Sequence, residues 1–539
     1  MNGLEVKDVS IKYGKTIALK PCSFTLESGT ITGFIGADGA GKSSLLNAIA
    51  GVMDFAGHIV FSGYAYHSAR SSEHAKKNIG LMPQGLGLIL YNSLSVEQHL
   101  DYFSRIREID NDSKFSEFRE SLLLMSGLKP FLDRQAANLS GGMRQKLALI
   151  CTLLHKPKLL LLDEPTTGVD PISRYELWNI LTKITKEEQM LVIVSSAYMQ
   201  EADYMDKLIL FEEGEIIRQD SKEELLTSVK NYCYEPVDDL IEGIKTVKHL
   251  YSLKDDLKIE HKKPELESVF FVNWLKGGRK FPKISIENKR IRDAGSRYVL
   301  KAENITKKFN QFVALDRVSL NVNSKEILGL LGPNGAGKTT FMKILLGLLP
   351  YDGGSLEMLN VMIKSYKDRL RLKSRIGYVS QRFALYRKMT IKENLIYFGT
   401  LYGIKKRELE DKINEYSRIL NFDKWINYFA DDVPMGIKQR FSLCAALLHE
   451  PRVLILDEPT SGIDVIAREL FWEILQQIKD NWNISVIIST HYMSEAEFCD
   501  RVVLLKDGVK IADDTVGNLY GKYPEAENFE EIFLKYYNA

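Results

Sequence analysis

The 539-residue chain predicts an α/β protein made twice, as two copies of one domain, each an α/β core with an inserted helical subdomain. Three observations carry that expectation. The two halves match loop for loop at almost constant spacing. In each half a glycine-rich loop joins a strand pattern to a helix pattern. Short apolar runs such as "LLLLD" and "LVIVSS" read as strands buried in a mostly parallel sheet.

Taken along the chain, the first copy opens on "MNGLEVKDVSIKYG", an alternating strand pattern without the apolar centre of a signal peptide. The loop "GADGAGKSS" (36–44) pairs with "GPNGAGKTT" (332–340), and "IGLMPQ" (79–84) with "IGYVSQ" (376–381). "LLLLDEPTTGVD" (159–170) pairs with "VLILDEPTSGID" (453–464), and "SSAYMQEAD" (195–203) with "STHYMSEAE" (489–497). The offsets run only from 294 to 297, so residues missing from one copy can be identified by position. Between Gln84 and Leu139 a helical pattern ("LSVEQHLDYFSRIREI") marks the inserted subdomain, and the second copy has one of similar length. Even the tails correspond, "ELESVFF" (265–271) with "NFEEIFL" (528–534). The expected domains are 1–224 and 298–539, with a C-terminal extension of the first copy and a basic linker over 225–297. Residues 275–297 hold eight basic and two acidic side chains with Gly and Pro, the composition of an exposed linker.

Composition narrows the function. Net charge is +1, which gives no global attraction to nucleic acid, and DNA is not expected as a partner. The five cysteines are scattered without metal-ligand spacing, as expected of buried, reduced thiols. No window reaches 18 consecutive apolar residues, so nothing here spans a membrane unaided.

The chemistry begins with G-x-x-x-x-G-K-[ST], present twice between a strand and a helix. Glycines let backbone N–H groups curl around phosphates, and the helix N-terminus favours their charge. In the first copy this loop is Gly36, Ala37, Asp38, Gly39, Ala40, Gly41, Lys42, Ser43 and Ser44. In the second it is Gly332, Pro333, Asn334, Gly335, Ala336, Gly337, Lys338, Thr339 and Thr340. Lys42 and Lys338 are placed to reach the β/γ-phosphates, and Ser43 and Thr339 to hold Mg²⁺. Downstream, Asp163 and Asp457 end an apolar strand as further Mg²⁺ ligands, and the adjacent Glu164 and Glu458 can polarise a water attacking the γ-phosphate. The expected fold is therefore two P-loop NTPase domains.

Together the P-loops, Gln84 and Gln381, "LSGGMRQK" (139–146), the Asp-Glu pairs, Asp170 and Asp464, and the late His491 resemble the ATP-binding cassette (ABC) family. The resemblance covers nearly the whole chain. It implies ATP and Mg²⁺ as ligands, with Gln84 and Gln381 near the metal. It also implies adenine stacking on Tyr13 and Phe309, and cassettes that close head to tail so that each ATP lies between one P-loop and the other copy's signature.

On that arrangement the two sites differ. Ser140, Gly141 and Gly142 offer a hydroxyl and close backbone N–H groups to a γ-phosphate. The second copy instead reads "VPMGIKQR" (433–440). Pro434 lacks both hydroxyl and N–H, and Met435 puts a side chain where backbone should approach. His491 of the second copy corresponds to Ala197 of the first. Both losses fall on the site of Lys42. One site is expected to hold ATP and the other to turn it over, with Glu458 and His491 catalytic and Glu164 left without its partners.

The motifs also look like cassettes of ABC-2-type exporters and are similar to bacterial tandem-cassette multidrug-exporter ATPases. This implies separately encoded integral membrane permeases, two in number, and a location at the cytoplasmic face of the inner membrane. It leaves room for a periplasmic adaptor. "GLGLILYNSLS" and "RFALYRKMT", after the two glutamines, are where the family docks membrane-subunit helices. The competing reading is a tandem-cassette translation factor acting on the ribosome. Against it, the chain lacks a long charged hairpin between its copies. Sugar-importer ATPases show another pattern of asymmetry. A chromosome-maintenance ATPase would need hundreds of coiled-coil residues between Lys42 and Asp163.

Overall fold

The computed structural model describes residues 3–538 apart from 15, 238–242, 255–256, 283, 289–296, 365 and 382–384. The chain forms two compact units, Met1–Lys280 and Phe281–Ala539.

Each unit is built on a six-stranded sheet. In the first unit the strand order is Glu215–Asp220, Lys207–Glu212, Ile31–Gly36, Leu191–Ser196, Leu159–Asp163 and Ile79–Met82. All neighbours are parallel except the Glu215–Asp220 edge. The second unit repeats this order with Val509–Asp514, Arg501–Lys506, Ile327–Leu331, Ser485–Thr490, Val453–Asp457 and Ile376–Val379. The central strands are buried on both faces, which is why they read as continuous Leu/Ile/Val runs rather than alternating ones. A second, antiparallel sheet of four strands stands beside each core, led by Leu4–Tyr13 and Tyr298–Phe309. Its alternating burial matches the alternation in the sequence.

The inserted helical subdomain contains Val96–Ile106, Ser113–Ser126 and Gly141–Leu153 in the first unit. The second has Ile391–Leu401, Lys406–Ile419 and Met435–Leu447. Local sequence starts these helices: Ser95 with Gln98, and Thr390 with Glu393, form reciprocal capping boxes.

Two features depart from the simple repeat. The offset between copies is 294 at the helix caps Ser221 and Thr515 but 263 at the last helices, Leu266–Lys276 and Phe529–Asn538. The first copy thus carries 31 additional residues here. Part of this insert is a small antiparallel sheet of Cys233–Tyr234, Leu250–Tyr251 and Ile244–Lys245. Stacked rings hold it: Tyr234 on His261 at 4.5 Å, His249 on Tyr251 at 5.5 Å, and Tyr251 on Phe271 at 4.9 Å between centroids. The terminal helix then returns to the core, where Asn273, Trp274 and Arg279 all donate to the Glu212 carboxylate.

The second departure is in the basic segment. Ile284 and Ile286 are buried, not exposed linker. Helix Val465–Trp482 captures this stretch through Gln477 and Asn481, which pair with the backbone of Ile284 and Ile286. Two isoleucines among the lysines carried that signal, but the charge density outweighed it. Residues 283 and 289–296 of the segment lie outside the described residues. All five cysteines are buried and unpaired.

Candidate active sites

Both P-loops lie beyond the carboxyl end of a central parallel strand, where open α/β sheets place ligands. The loop needs glycine at its last turn. Gly41 and Gly337 have φ of +97° and +99°, and a Cβ there would fall 2.6 Å from Ala18 O and 2.7 Å from Ala314 O. The following helices, Lys42–Ile49 and Lys338–Leu345, start with no side-chain cap, leaving their first N–H groups for an anion. Lys42 Nζ donates to Gly36 O at 2.6 Å and Ala37 O at 2.8 Å; Lys338 Nζ repeats this with Gly332 O at 2.6 Å and Pro333 O at 3.0 Å. Both lysines are buried beneath their loops. Ala40 and Ala336 are buried too and hold the loop from inside.

The carboxylates converge on the same strand ends. Ser43 Oγ donates to Asp163 Oδ1 at 3.0 Å. Gln84 donates to Glu164 Oε2 at 2.9 Å, and Gln381 to Glu458 Oε2 at 2.7 Å. A hydroxyl, a carboxylate and an amide oxygen form a hard donor set. It suits Mg²⁺, which keeps several waters and binds through one or two carboxylates plus substrate phosphates. Among the described residues no cluster of three His, Cys, Asp or Glu could hold a metal alone, so phosphate oxygens would complete the shell.

The glutamates sit in opposite electrostatic surroundings. Glu458 is buried, which alone would push its carboxyl up. His491 Nδ1, 3.0 Å from Oε1, together with Lys338 and Gln381, overcomes this and holds it below the usual glutamate value. At Glu164 burial and the Asp38 charge push the carboxyl up, and Ala197 occupies the histidine position. Asp38 corresponds to Asn334 of the second loop. Burial also raises Asp457.

A second group of residues assembles around each signature helix. Ser140 caps Gly141–Leu153, accepting the Met143 N–H at 3.2 Å. Pro434 occupies the same place on Met435–Leu447 without a side-chain cap. Asp170 and Asp464 cap the neighbouring helices, Pro171–Glu187 and Val465–Trp482, accepting N–H groups from Ser173 and Ala467. Tyr13 is 55% exposed with its hydroxyl 3.3 Å from Ser44 Oγ, so the ring stands beside the P-loop helix. Phe309 is exposed at the equivalent strand end, with Lys307 Nζ 5.5 Å from its ring centre. After each glutamine an exposed tyrosine pair stands on the helical subdomain: Tyr91 with Tyr102, and Tyr386 with Tyr397. Arg382, Phe383 and Ala384 of the second segment lie outside the described residues.

Sequence reasoning missed Ser195 and Ser489, which touch both carboxylate residues of their site, and the charge of Asp38. The serines carried a signal, since both open the paired segments at 195 and 489.

Two P-loop sites, each with an Asp-Glu pair and a separate signature helix, define the class: tandem-cassette ATPases. The match to known families is direct. The family model described as "ABC transporter" fits residues 19–167 and 315–461, and the chain belongs to the ABC transporter family. It is 34% identical to the probable multidrug ABC transporter ATP-binding protein YbhF of Escherichia coli (strain K12), covering 99% of this chain and 97% of that protein. It is 27% identical to an uncharacterized ABC transporter ATP-binding protein of Methanocaldococcus jannaschii, covering 94% of each. Among solved structures, the complex of the archaeal ribosome recycling factor aABCE1 with ribosomal stalk protein aP1 matches with a TM-score of 0.62. That match covers 96% of this chain and 92% of the other, and at 17% identity it shows the shared tandem fold alone.

The cassettes bind ATP and hydrolyse it to drive transport, so the chain is the ATP-binding subunit of an ABC transporter. Among the described residues no helix is long and apolar enough to cross a membrane. An ATP-binding subunit of an ABC transporter implies membrane permease partners.

Proposed function

We propose that this subunit powers an exporter through one hydrolytic and one degenerate ATP site, driving separately encoded permeases that dock on its helical subdomains. The observation that carries the asymmetry is the contrast between Glu458, with His491 Nδ1 3.0 Å from its Oε1, and Glu164, whose copy has Ala197 in the histidine position. In the hydrolytic site Lys338 and the loop amides bind phosphates. Thr339, Gln381 and Asp457 would hold Mg²⁺, which neutralises developing phosphate charge. Glu458 orients and polarises the attacking water while His491 fixes the carboxylate. On the arrangement the family resemblance implies, Ser140 and Gly141 complete this site, and Pro434 and Met435 face the nucleotide of Lys42. Losing one preorganised donor typically costs about 10²–10³ in rate, and that site lacks two. Ser43, Gln84, Asp163 and Tyr13 still suffice for binding.

Export is supported by full-length similarity to a probable multidrug transporter ATPase. The exposed tyrosine pairs after Gln84 and Gln381 support docking of permease helices there.

The test is ATP turnover by the assembled complex with Glu458→Gln and Glu164→Gln made separately. Glu458→Gln should abolish turnover and Glu164→Gln should leave most of it. Equal losses would mean two working sites and overturn the asymmetric reading.

A further inference from the structure

One serine, the first residue of the paired segments at 195 and 489, recurs at the centre of both sites. Ser195 and Ser489 lie near the carboxyl ends of strands Leu191–Ser196 and Ser485–Thr490, in parallel register with Asp163 and Asp457. Both are fully buried. Each hydroxyl donates to Oδ1 of that aspartate. Each also accepts the backbone N–H of the next residue, Glu164 at 3.0 Å and Glu458 at 3.2 Å. The serine carbonyl shares the same N–H, at 3.2 Å and 3.0 Å. Both glutamates sit in the left-handed region, with φ of +49° and +47°. A non-glycine residue stays there only when its surroundings over-determine it.

We propose that Ser489, with Ser195 as its counterpart, is a positioning residue that locks the metal-binding carboxylate and the water-polarising glutamate to one another. The proposal rests on the roles given to Asp457 and Glu458 above. One hydroxyl occupies a fixed lone pair of Asp457 Oδ1 and leaves the other carboxylate positions for the metal shell. The same oxygen accepts the Glu458 backbone N–H, so the Asp457 carboxylate and the Glu458 main chain are held to a single atom. Partners of this kind that orient a ligand typically change metal affinity by about 10–100-fold when removed.

A purely structural serine is available for comparison. Ser485, at the start of the same strand, is also fully buried; its hydroxyl donates to Asn323 O at 3.1 Å and accepts the Lys325 N–H at 2.9 Å. Removing either hydroxyl loses two hydrogen bonds, but only Ser489 touches the carboxylates.

The experiment titrates the full chain and ATP with Mn²⁺, reading free Mn²⁺ by electron paramagnetic resonance, with ATP binding in chelator measured alongside. The wild type should show two ATP-dependent Mn²⁺ sites. Ser489→Ala should weaken one of them about tenfold or more, while metal-free ATP binding stays as in the wild type and Ser485→Ala keeps both Mn²⁺ sites. Wild-type Mn²⁺ affinity in Ser489→Ala, or equal weakening in Ser485→Ala, would overturn the positioning role. Asp457→Asn separates the two levels. If it loses a Mn²⁺ site and Ser489→Ala does not, only the serine proposal falls; if it too keeps both sites, the metal role of Asp457 is wrong.

Discussion

Gly141 and Gly142 are neighbours in the first signature and answer to different constraints. A Cβ on Gly142 would fall 2.2 Å from Ser173 Oγ, and one on the equivalent Gly436 2.5 Å from the Ala467 Cβ. Both are glycine because two helices pack there. A Cβ on Gly141 would meet nothing within 4 Å, and the equivalent Met435 is 37% exposed. The fold of the cassette has room for a side chain at this position, so its glycine serves something outside the cassette's own packing. Gly141→Ala should therefore change unfolding free energy by no more than about 0.5 kcal/mol yet lower turnover of the assembled complex. Gly142→Ala should destabilise by about 1–3 kcal/mol through overpacking. Thermal denaturation beside ATPase assays distinguishes them. Comparable destabilisation by both would mean that Gly141 is also a packing residue.

At the scale of elements, the signature helix is tied to the sheet by a histidine in each copy. His155 Nε2 lies 3.3 Å from Ile79 O, and His449 Nε2 lies 3.0 Å from Ile376 O, joining the helix end to the strand that leads to the glutamine. Burial and the Arg107 charge push His155 down to about 4, against the Ile79 carbonyl that favours its charge; burial also lowers His449. The sign follows from proton counts. Between pH 6.5 and about 4 the unfolded chain binds a proton at His155 that the folded chain refuses, so stability falls as pH falls through that window. His155→Gln should flatten the acid-side decline of the first unit's melting temperature, measured by calorimetry from pH 7.5 to 4.5. An unchanged slope would assign the acid lability to other groups.

For the whole molecule, the division into Met1–Lys280 and Phe281–Ala539 puts a complete sheet, P-loop and signature helix in each unit. The two pieces made separately should each unfold in one cooperative transition. A piece without such a transition would show that its core depends on the other. Coupling to the permeases belongs to this scale as well. The tyrosine pairs are braced from behind, Tyr91 by His99 accepting its N–H at 3.0 Å and Tyr386 by Asn394 at 2.9 Å. Rigid exposed aromatic side chains make strong anchors, commonly worth more than about 1 kcal/mol each at an interface. Tyr91→Ala combined with Tyr386→Ala should cut co-purification of the membrane subunits about tenfold or more and leave both melting transitions in place. Full recovery of the permeases would move the docking surface elsewhere.

The sequence by itself determined the fold class, the repeat, the P-loops, the Asp-Glu pairs and the loss of a signature in the second copy. These are encoded in contiguous stretches, because a phosphate loop needs its glycines and lysine at fixed short spacing and a buried strand needs an unbroken apolar run. Tertiary structure decided what depends on residues far apart in the chain. Strand register set Ser195 beside Asp163 and Ser489 beside Asp457, 32 residues apart in each case. Folding also buried Glu164 with the Asp38 charge within reach, and set His491 against the buried Glu458, so that the two carboxyls shift in opposite directions from the ordinary glutamate value. Local pattern is blind to both, since desolvation and Coulomb interaction depend on distance through space.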